Sequence, residues 1–243
     1  MKKTRIFAYV LVVCFLAVMA FSGYQLWKIN TNYADEAKIH NAVMEYKPDE
    51  ITNPDPVPAI TEIVNQKIID LQAEYPDAVG WLTIPNTKID YPFVWYNDND
   101  YYLYRDINGA YAAAGSLFID YRCDKDFSDQ NTIIYGHHMR NGSMFGTLKA
   151  FDNQEFFNEN KTGSIYLPYA NLTLEFFAYM VINPNEGKEL HDPMPGDAYY
   201  DYVKQNARYY RDLGLAEGDK IVTLSSCAYE FDDARMILLA KCS

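Results

Sequence analysis

The sequence predicts a mainly β domain closed into a barrel, carried on a single N-terminal membrane helix. Three observations predict it. Short apolar segments separated by Pro, Gly and Asn turn signals recur from Val79 to the end of the chain. The chain is rich in tyrosine, with 22 among 243 residues, a residue type that favours strands. An uncharged apolar run occupies Ile6–Gly23 behind Lys2, Lys3 and Arg5. A closed barrel suits catalysis because it leaves few free strand edges and fixes side chains at strand ends.

The apolar run is close to the ~20 residues a helix needs to cross a bilayer. Trp27 and Lys28 come after it at the expected interface. Basic residues before the run place the N-terminus in the cytoplasm and the remaining domain outside the cell. The expected organisation is therefore a cytoplasmic end at 1–5, a signal anchor at 6–27, a stalk or linker at 28–58 and a catalytic domain at 59–243. A cleaved signal peptide is the competing reading, since Ala17–Ser22 offers weak small-residue cleavage sites. A net charge of −12 argues against nucleic acid as a partner, because phosphate binding needs a basic face.

Residues 28–57 read as polar linker with some helix around Asp35–Tyr46, ending in the proline-rich patch at 53–58. Residues 59–74 carry apolar positions at Ile60, Ile63, Val64, Ile68, Ile69 and Leu71, an amphipathic helix that packs against the β domain. From Val79 the period changes to that of strands. Gly80–Pro85 and Ile89–Trp95 flank a Pro-Asn turn. Residues 114–120, 131–137, 164–168, 172–182, 220–227 and 235–242 are further strands. One helix is expected over Asp197–Leu213, opened by Pro195-Gly196-Asp197 and stopped by Gly214.

The tail carries the chemistry. Thr223-Leu224-Ser225-Ser226-Cys227 ends an apolar strand, and Arg235 begins the next. A hairpin turning near Phe231 sets Cys227 and Arg235 opposite each other, with Cβ atoms ~5 Å apart. A guanidinium there can stabilise an oxyanion formed when the sulfur attacks a carbonyl. The strand Asn131–His137 ends in two histidines, with Tyr135 and His137 on one face and His138 on the other. A histidine can hand a proton to a leaving amine and take one from an incoming amine. Taken singly, a cysteine is more often a core residue and an arginine a solvated charge. His40 and His191 read as structural or incidental. Cys242 reads as packing, and Cys123 as a surface loop thiol open to a reactivity test. The cysteine spacing offers no zinc site, and three cysteines beyond the anchor cannot all pair internally.

The ordered trio resembles the sortases, membrane-anchored cysteine transpeptidases of Gram-positive bacteria. The family's Thr-Leu-x-Thr-Cys motif matches Thr223-Leu224-Ser225-Ser226-Cys227, with serine in place of threonine before the cysteine. Its Gly-His pair matches Gly136-His137, and its arginine matches Arg235. The helix before the cysteine strand, the helix at 59–74 and the segment Tyr135–Phe145 are similar to class B members. The resemblance implies an eight-stranded sortase barrel with one inserted helix before the cysteine strand. It implies Cys227 as nucleophile, His137 as general acid and base, and Arg235 as oxyanion or substrate stabiliser. It also implies a sorting pentapeptide of surface proteins as donor, Asn-Pro-x-Thr-Asn-like or Pro-x-Thr-Gly-like. An amine of a peptidoglycan precursor or cross-bridge would be the acceptor. Tyr135, Thr223, Leu224, Ser225, Ser226 and Asn99 are candidates for lining the groove. No cofactor and no metal is implied. A cell-wall L,D-transpeptidase, a cysteine peptidase and a non-enzymatic anchored adhesion domain are the alternatives.

Overall fold

The computed structural model describes residues 2–49, 63–183, 188–194, 198–216, 218–227 and 234–243. The first element is a helix, α1 (Lys2–Val43), closed by a 3-10 turn at Met44–Tyr46. It is long and apolar enough to cross a membrane by length and composition. At 1.5 Å per residue its 42 residues span roughly 63 Å, about twice a bilayer's hydrocarbon core. The expected linker is thus, over 28–43, the continuation of the same helix. The reason is local: no Gly or Pro interrupts Tyr24–Lys47, and Pro48 then forces Lys47 into extended backbone with ψ of 125°. The far end of α1 docks on the domain, burying Val43 and setting the His40 ring 4.6 Å from that of Tyr91. The rest of the expected linker, the proline patch included, lies outside the described residues.

The second helix, α2 (Gln66–Glu74), is shorter than the 59–74 expected; residues 59–62 lie outside the described residues. Among the described residues of the expected apolar set, Ile68 and Leu71 are buried, while Ile63 and Val64 are exposed. Asn65 sets the start differently from a capping residue. Its side-chain amide donates to the Leu167 carbonyl and to Asn171 Oδ1, tying the helix entry to a strand hairpin rather than to the helix's own N–H groups.

The strands are β1 (Ala78–Thr83), β2 (Asp90–Trp95), β3 (Leu117–Ile119), β4 (Asn131–Gly136), β5 (Thr162–Leu167), β6 (Ala170–Ile182), β7 (Tyr209–Tyr210), β8 (Lys220–Cys227) and β9 (Arg235–Cys242). Hydrogen bonding runs β5-β1-β2-β3-β4-β8-β9-β6, and β6 returns to β5, so eight strands close a barrel. Two-residue β7 hangs on the edge of β6 outside that ring. The interior is filled by Phe93, Phe151, Phe176, Ile134, Leu224 and Leu238, all inaccessible to solvent. Period two sends the alternate residues outward. Ile221, Ile237 and Leu239 pack instead beneath α4 (Ala198–Asn206), against Tyr199 and Val203. A further short helix, α3 (Gln154–Glu159), is capped by the Asn153 side chain, which accepts from the Phe156 N–H.

The helix expected over Asp197–Leu213 ends at Asn206, and its expected cap at 195–197 lies outside the described residues. Beyond Asn206 the tyrosines take over. Tyr209 and Tyr210 pair with Tyr179 and Ala178, and Arg208 N and Arg211 N donate to carbonyls of Tyr179 and Phe177. Covering an open strand edge wins over extending a surface helix. Burying an arginine's donors against carbonyls secures the join: Arg211 reaches the Phe157 carbonyl at 2.7 Å and lies over its ring.

Candidate active site

The strand order decides what meets. β4 and β8 run parallel, with Gly136 beside Ser226, so both strands finish at the same end of the barrel. β9 runs antiparallel to β8 with Cys227 directly opposite Arg235. His137, Cys227 and Arg235 therefore occupy three neighbouring strand ends on one rim. Contacts of the Cys227 side chain, and the turn expected over Glu230–Asp233, lie outside the described residues.

His137 is held firmly. Its Nε2 lies 2.7 Å from the Leu103 carbonyl. A carbonyl only accepts, so Nε2 carries the proton and the neutral ring's basic nitrogen is Nδ1. The Tyr104 ring covers the imidazole at 5.3 Å. Burial pushes the His137 pKa below its ordinary value, and the Leu103 bond opposes this only in part. Tyr104→Ala should admit water to the ring and raise the His137 midpoint back toward 6.5. An NMR pH titration of the ring protons checks this, and an unmoved midpoint would contradict burial as the cause.

Two glycines make room for this anchoring. A Cβ on Gly136 would lie 2.4 Å from Leu117 Cδ2 and 2.8 Å from Phe145, so only glycine fits immediately before His137. Gly115 has φ of 60°, and a Cβ there would lie 2.4 Å from the Leu103 oxygen that holds the imidazole. Gly115→Ala should cost about 1–3 kcal/mol of stability from strain at that backbone position. It should also reduce turnover of whatever substrate the enzyme takes, since the displaced carbonyl releases His137. Thermal melting and a turnover assay on the same sample test both halves.

Arg235 donates from Nη1 to the Ala234 carbonyl at 3.2 Å and lines a groove with Asn99, Leu103, Phe118, Tyr135 and His137. Ser225 and Ser226 complete that groove. Ser226 Oγ donates to the Gly136 carbonyl at 2.8 Å, stitching the cysteine strand to the histidine strand. Thus Asn99, Tyr135, Ser225 and Ser226 are among the residues lining the groove, and Thr223 and Leu224 are not. Leu224 points into the barrel core, and the fully buried Thr223 donates to Asn131 Oδ1 at 2.7 Å. Both belong to the scaffold of β8, too deep along the strand to reach its rim.

Two further readings need correction. Cys123 is no surface thiol. It is 3% exposed, packed in the core, and burial pushes its pKa up to about 12. His191 is not incidental. Its Nε2 lies 3.0 Å from Ser225 Oγ, and its ring stacks on Tyr135 at 6.0 Å with an 11° interplanar angle. No spacing rule reaches it, because packing from distant segments brings it in. Arg122 Nη2 donates to the His191 carbonyl, and Asn131 Nδ2 to those of Leu190 and Asp192. Among the described residues, no cluster of His, Cys, Asp and Glu is arranged to hold a metal ion.

A closed eight-stranded barrel thus sets a cysteine, a histidine and an arginine on adjoining strand ends. A scan against protein-family models finds no match. The chain is 35% identical to sortase B of Listeria monocytogenes over 232 residues, which cover 93% of this chain and 92% of that one. Among solved structures it is similar to sortase B from Bacillus anthracis, with TM-score 0.73 and 30% identity over 86% of this chain and 96% of that one. A Streptococcus pyogenes class B sortase involved in pilus biogenesis matches at TM-score 0.67 and 31% identity, over 72% of this chain and 97% of that one. The chain belongs to the sortase B family. It is a sortase transpeptidase, and the apolar α1 fits a membrane-anchored enzyme.

Proposed function

We propose that the enzyme cleaves the C-terminal sorting signal of surface proteins after threonine and joins the new acyl group to an amine of a peptidoglycan precursor. The observation that carries this reading is the paired register, Gly136 beside Ser226 and Cys227 opposite Arg235, which gathers the trio on one rim. Cys227 passes its thiol proton to His137 and attacks the threonine carbonyl, and its sulfur–carbon bond forms as the carbonyl oxygen takes up negative charge. Arg235, with fixed donors, stabilises that oxyanion. Collapse expels the downstream peptide as an amine, which receives a proton from His137. The acceptor amine then attacks the thioester and loses a proton to His137, the sulfur–carbon bond breaks as the new amide forms, and His137 returns the proton to the sulfur, restoring the thiol.

The groove supports an extended peptide as donor. Leu103, Phe118 and Tyr135 offer apolar faces, and Ser225, Ser226 and Asn99 are its polar members. An extended signal of the Asn-Pro-x-Thr-Asn-like or Pro-x-Thr-Gly-like kind is the donor proposed for it. The basic residues preceding α1's apolar run support an N-terminus held in the cytoplasm and a catalytic domain outside the cell.

The test is a pool of such peptides incubated with the domain and hydroxylamine. The reading predicts cleavage after threonine and a threonine hydroxamate. Turnover of a muropeptide with every sorting peptide left intact would instead favour a wall-directed L,D-transpeptidase.

A further inference from the structure

We propose that Asp120, which lies beneath the groove without entering it, is a positioning residue that sets how tightly the sorting peptide is held. The inference rests on the peptide-groove reading above. Asp120 comes directly after β3 and is fully inaccessible to solvent. Its carboxylate is a hub. Arg122 grips it through two bonds of 2.8 Å, from Nε to Oδ1 and from Nη2 to Oδ2. The Arg122 N–H adds a bond to Oδ1 at 3.0 Å. The Tyr135 hydroxyl donates to Oδ2 at 3.0 Å, and Asn99 Nδ2 at 3.1 Å.

Two of these ligands, Asn99 and Tyr135, line the groove, and the third supports it from behind. Asn99 comes from the loop after β2, and its Oδ1 in turn accepts from the Tyr121 N–H. Tyr135 comes from β4, its ring packed between Phe118 at 5.4 Å and His191 at 6.0 Å. Arg122 passes the constraint onward by donating to the His191 carbonyl at 2.7 Å, and His191 touches Ser225. One buried charge thus holds three side chains, those of Asn99, Arg122 and Tyr135, and through Arg122 it reaches the backbone of the His191 segment. Nothing along the backbone forces those segments to agree.

The network also decides what the peptide meets. The Tyr135 hydroxyl and the Asn99 amide are turned toward the carboxylate, so the groove presents a ring face at a fixed angle. Buried networks of this kind are stiff while complete and costly when one member is lost. Loss of the hub should free Tyr135 to rotate and weaken the Arg122 bond to the His191 carbonyl, while the Asn131 bonds to that segment remain. Neither His137 nor Arg235 is a partner in these bonds. The chemical step should therefore persist while binding weakens.

The experiment is a steady-state comparison of wild type and Asp120→Asn on a cleaved sorting peptide, with active sites counted by alkylation of Cys227. The expected result is a KM raised about tenfold, with kcat per active site and the alkylation rate within about twofold of wild type. A merely structural role predicts the opposite split, because partial unfolding removes active sites without changing the KM of those that remain. An unchanged KM overturns the proposal. Should Asp120→Asn fail to fold, Arg122→Lys carries the test. It keeps the charge but cannot reproduce the fork and the bond to the His191 carbonyl together. It should raise KM by about threefold or more, again with kcat preserved, and an unmoved KM overturns the proposal. If wild type cleaves no sorting peptide, the peptide-groove reading fails instead.

Discussion

Cys227→Ala should abolish cleavage of a sorting peptide, lowering kcat by about 10⁴-fold or more, the scale on which loss of a covalent nucleophile is felt. The register gives the reason. Cys227 is the last residue of β8, placed between the end of β4 and the start of β9. The described residues' other thiols cannot replace it. Cys123 and Cys242 are packed in the core with pKa values pushed by burial to about 12 and about 11, and Cys14 lies within α1. Ser226 is no substitute nucleophile either, since its hydroxyl is committed to the Gly136 carbonyl. The variant should keep its fold and its affinity for peptide, so binding of a labelled pentapeptide checks that only chemistry was lost. Retained turnover would remove Cys227 from the mechanism.

Arg235→Ala should lower kcat/KM by about 10²–10³-fold, the loss found when an oxyanion donor is removed. Arg235→Lys should recover only part of this. A lysine keeps the charge but offers a single rotating ammonium where a planar fork of fixed donors stood. The effect should fall mainly on kcat, because charge on the carbonyl oxygen develops only as the sulfur attacks. That distribution separates Arg235 from Asp120, whose loss should fall on KM. A rise in KM with kcat untouched would assign Arg235 to peptide binding alone.

What the sequence reveals of this site depends on how local each feature is. The hairpin of β8 and β9 is legible because two regular apolar strands meet in register, and regularity alone sets Cys227 across from Arg235. Gly136-His137 is legible because a strand end needs little context. Thr223 and Leu224 show where a motif alone is not enough. They belong to the motif, but depth along the strand, not motif membership, decides what reaches the rim. Leu224 fills the core and Thr223 secures Asn131. His191 is illegible because its place depends on Arg122 and Asn131, residues 69 and about 60 positions away in the chain. Cys123 sits between Arg122 and Asp124 and reads as surface, but Arg122 turns away to grip Asp120 while the thiol packs inward. At the scale of the fold, the barrel strands are legible from alternation. The continuity of α1 comes from something a polar composition hides, the absence of any helix breaker between Tyr24 and Lys47.

The same network explains why the groove's walls resist reading from sequence. Asp120 lies in a stretch with no motif, and its importance comes entirely from what converges on it. A buried carboxylate held by several donor groups is a property of the folded chain.

Mass spectrometry of the intact domain after brief exposure to a mixed sorting-peptide pool, with acid quench and peptide mapping, tests the central claim most directly. Covalent catalysis by Cys227 predicts an acyl adduct ending in threonine, confined to Cys227, absent from Cys227→Ala and accumulating when no amine acceptor is supplied. An adduct on another residue, or rapid peptide cleavage with Cys227 never modified, would contradict it.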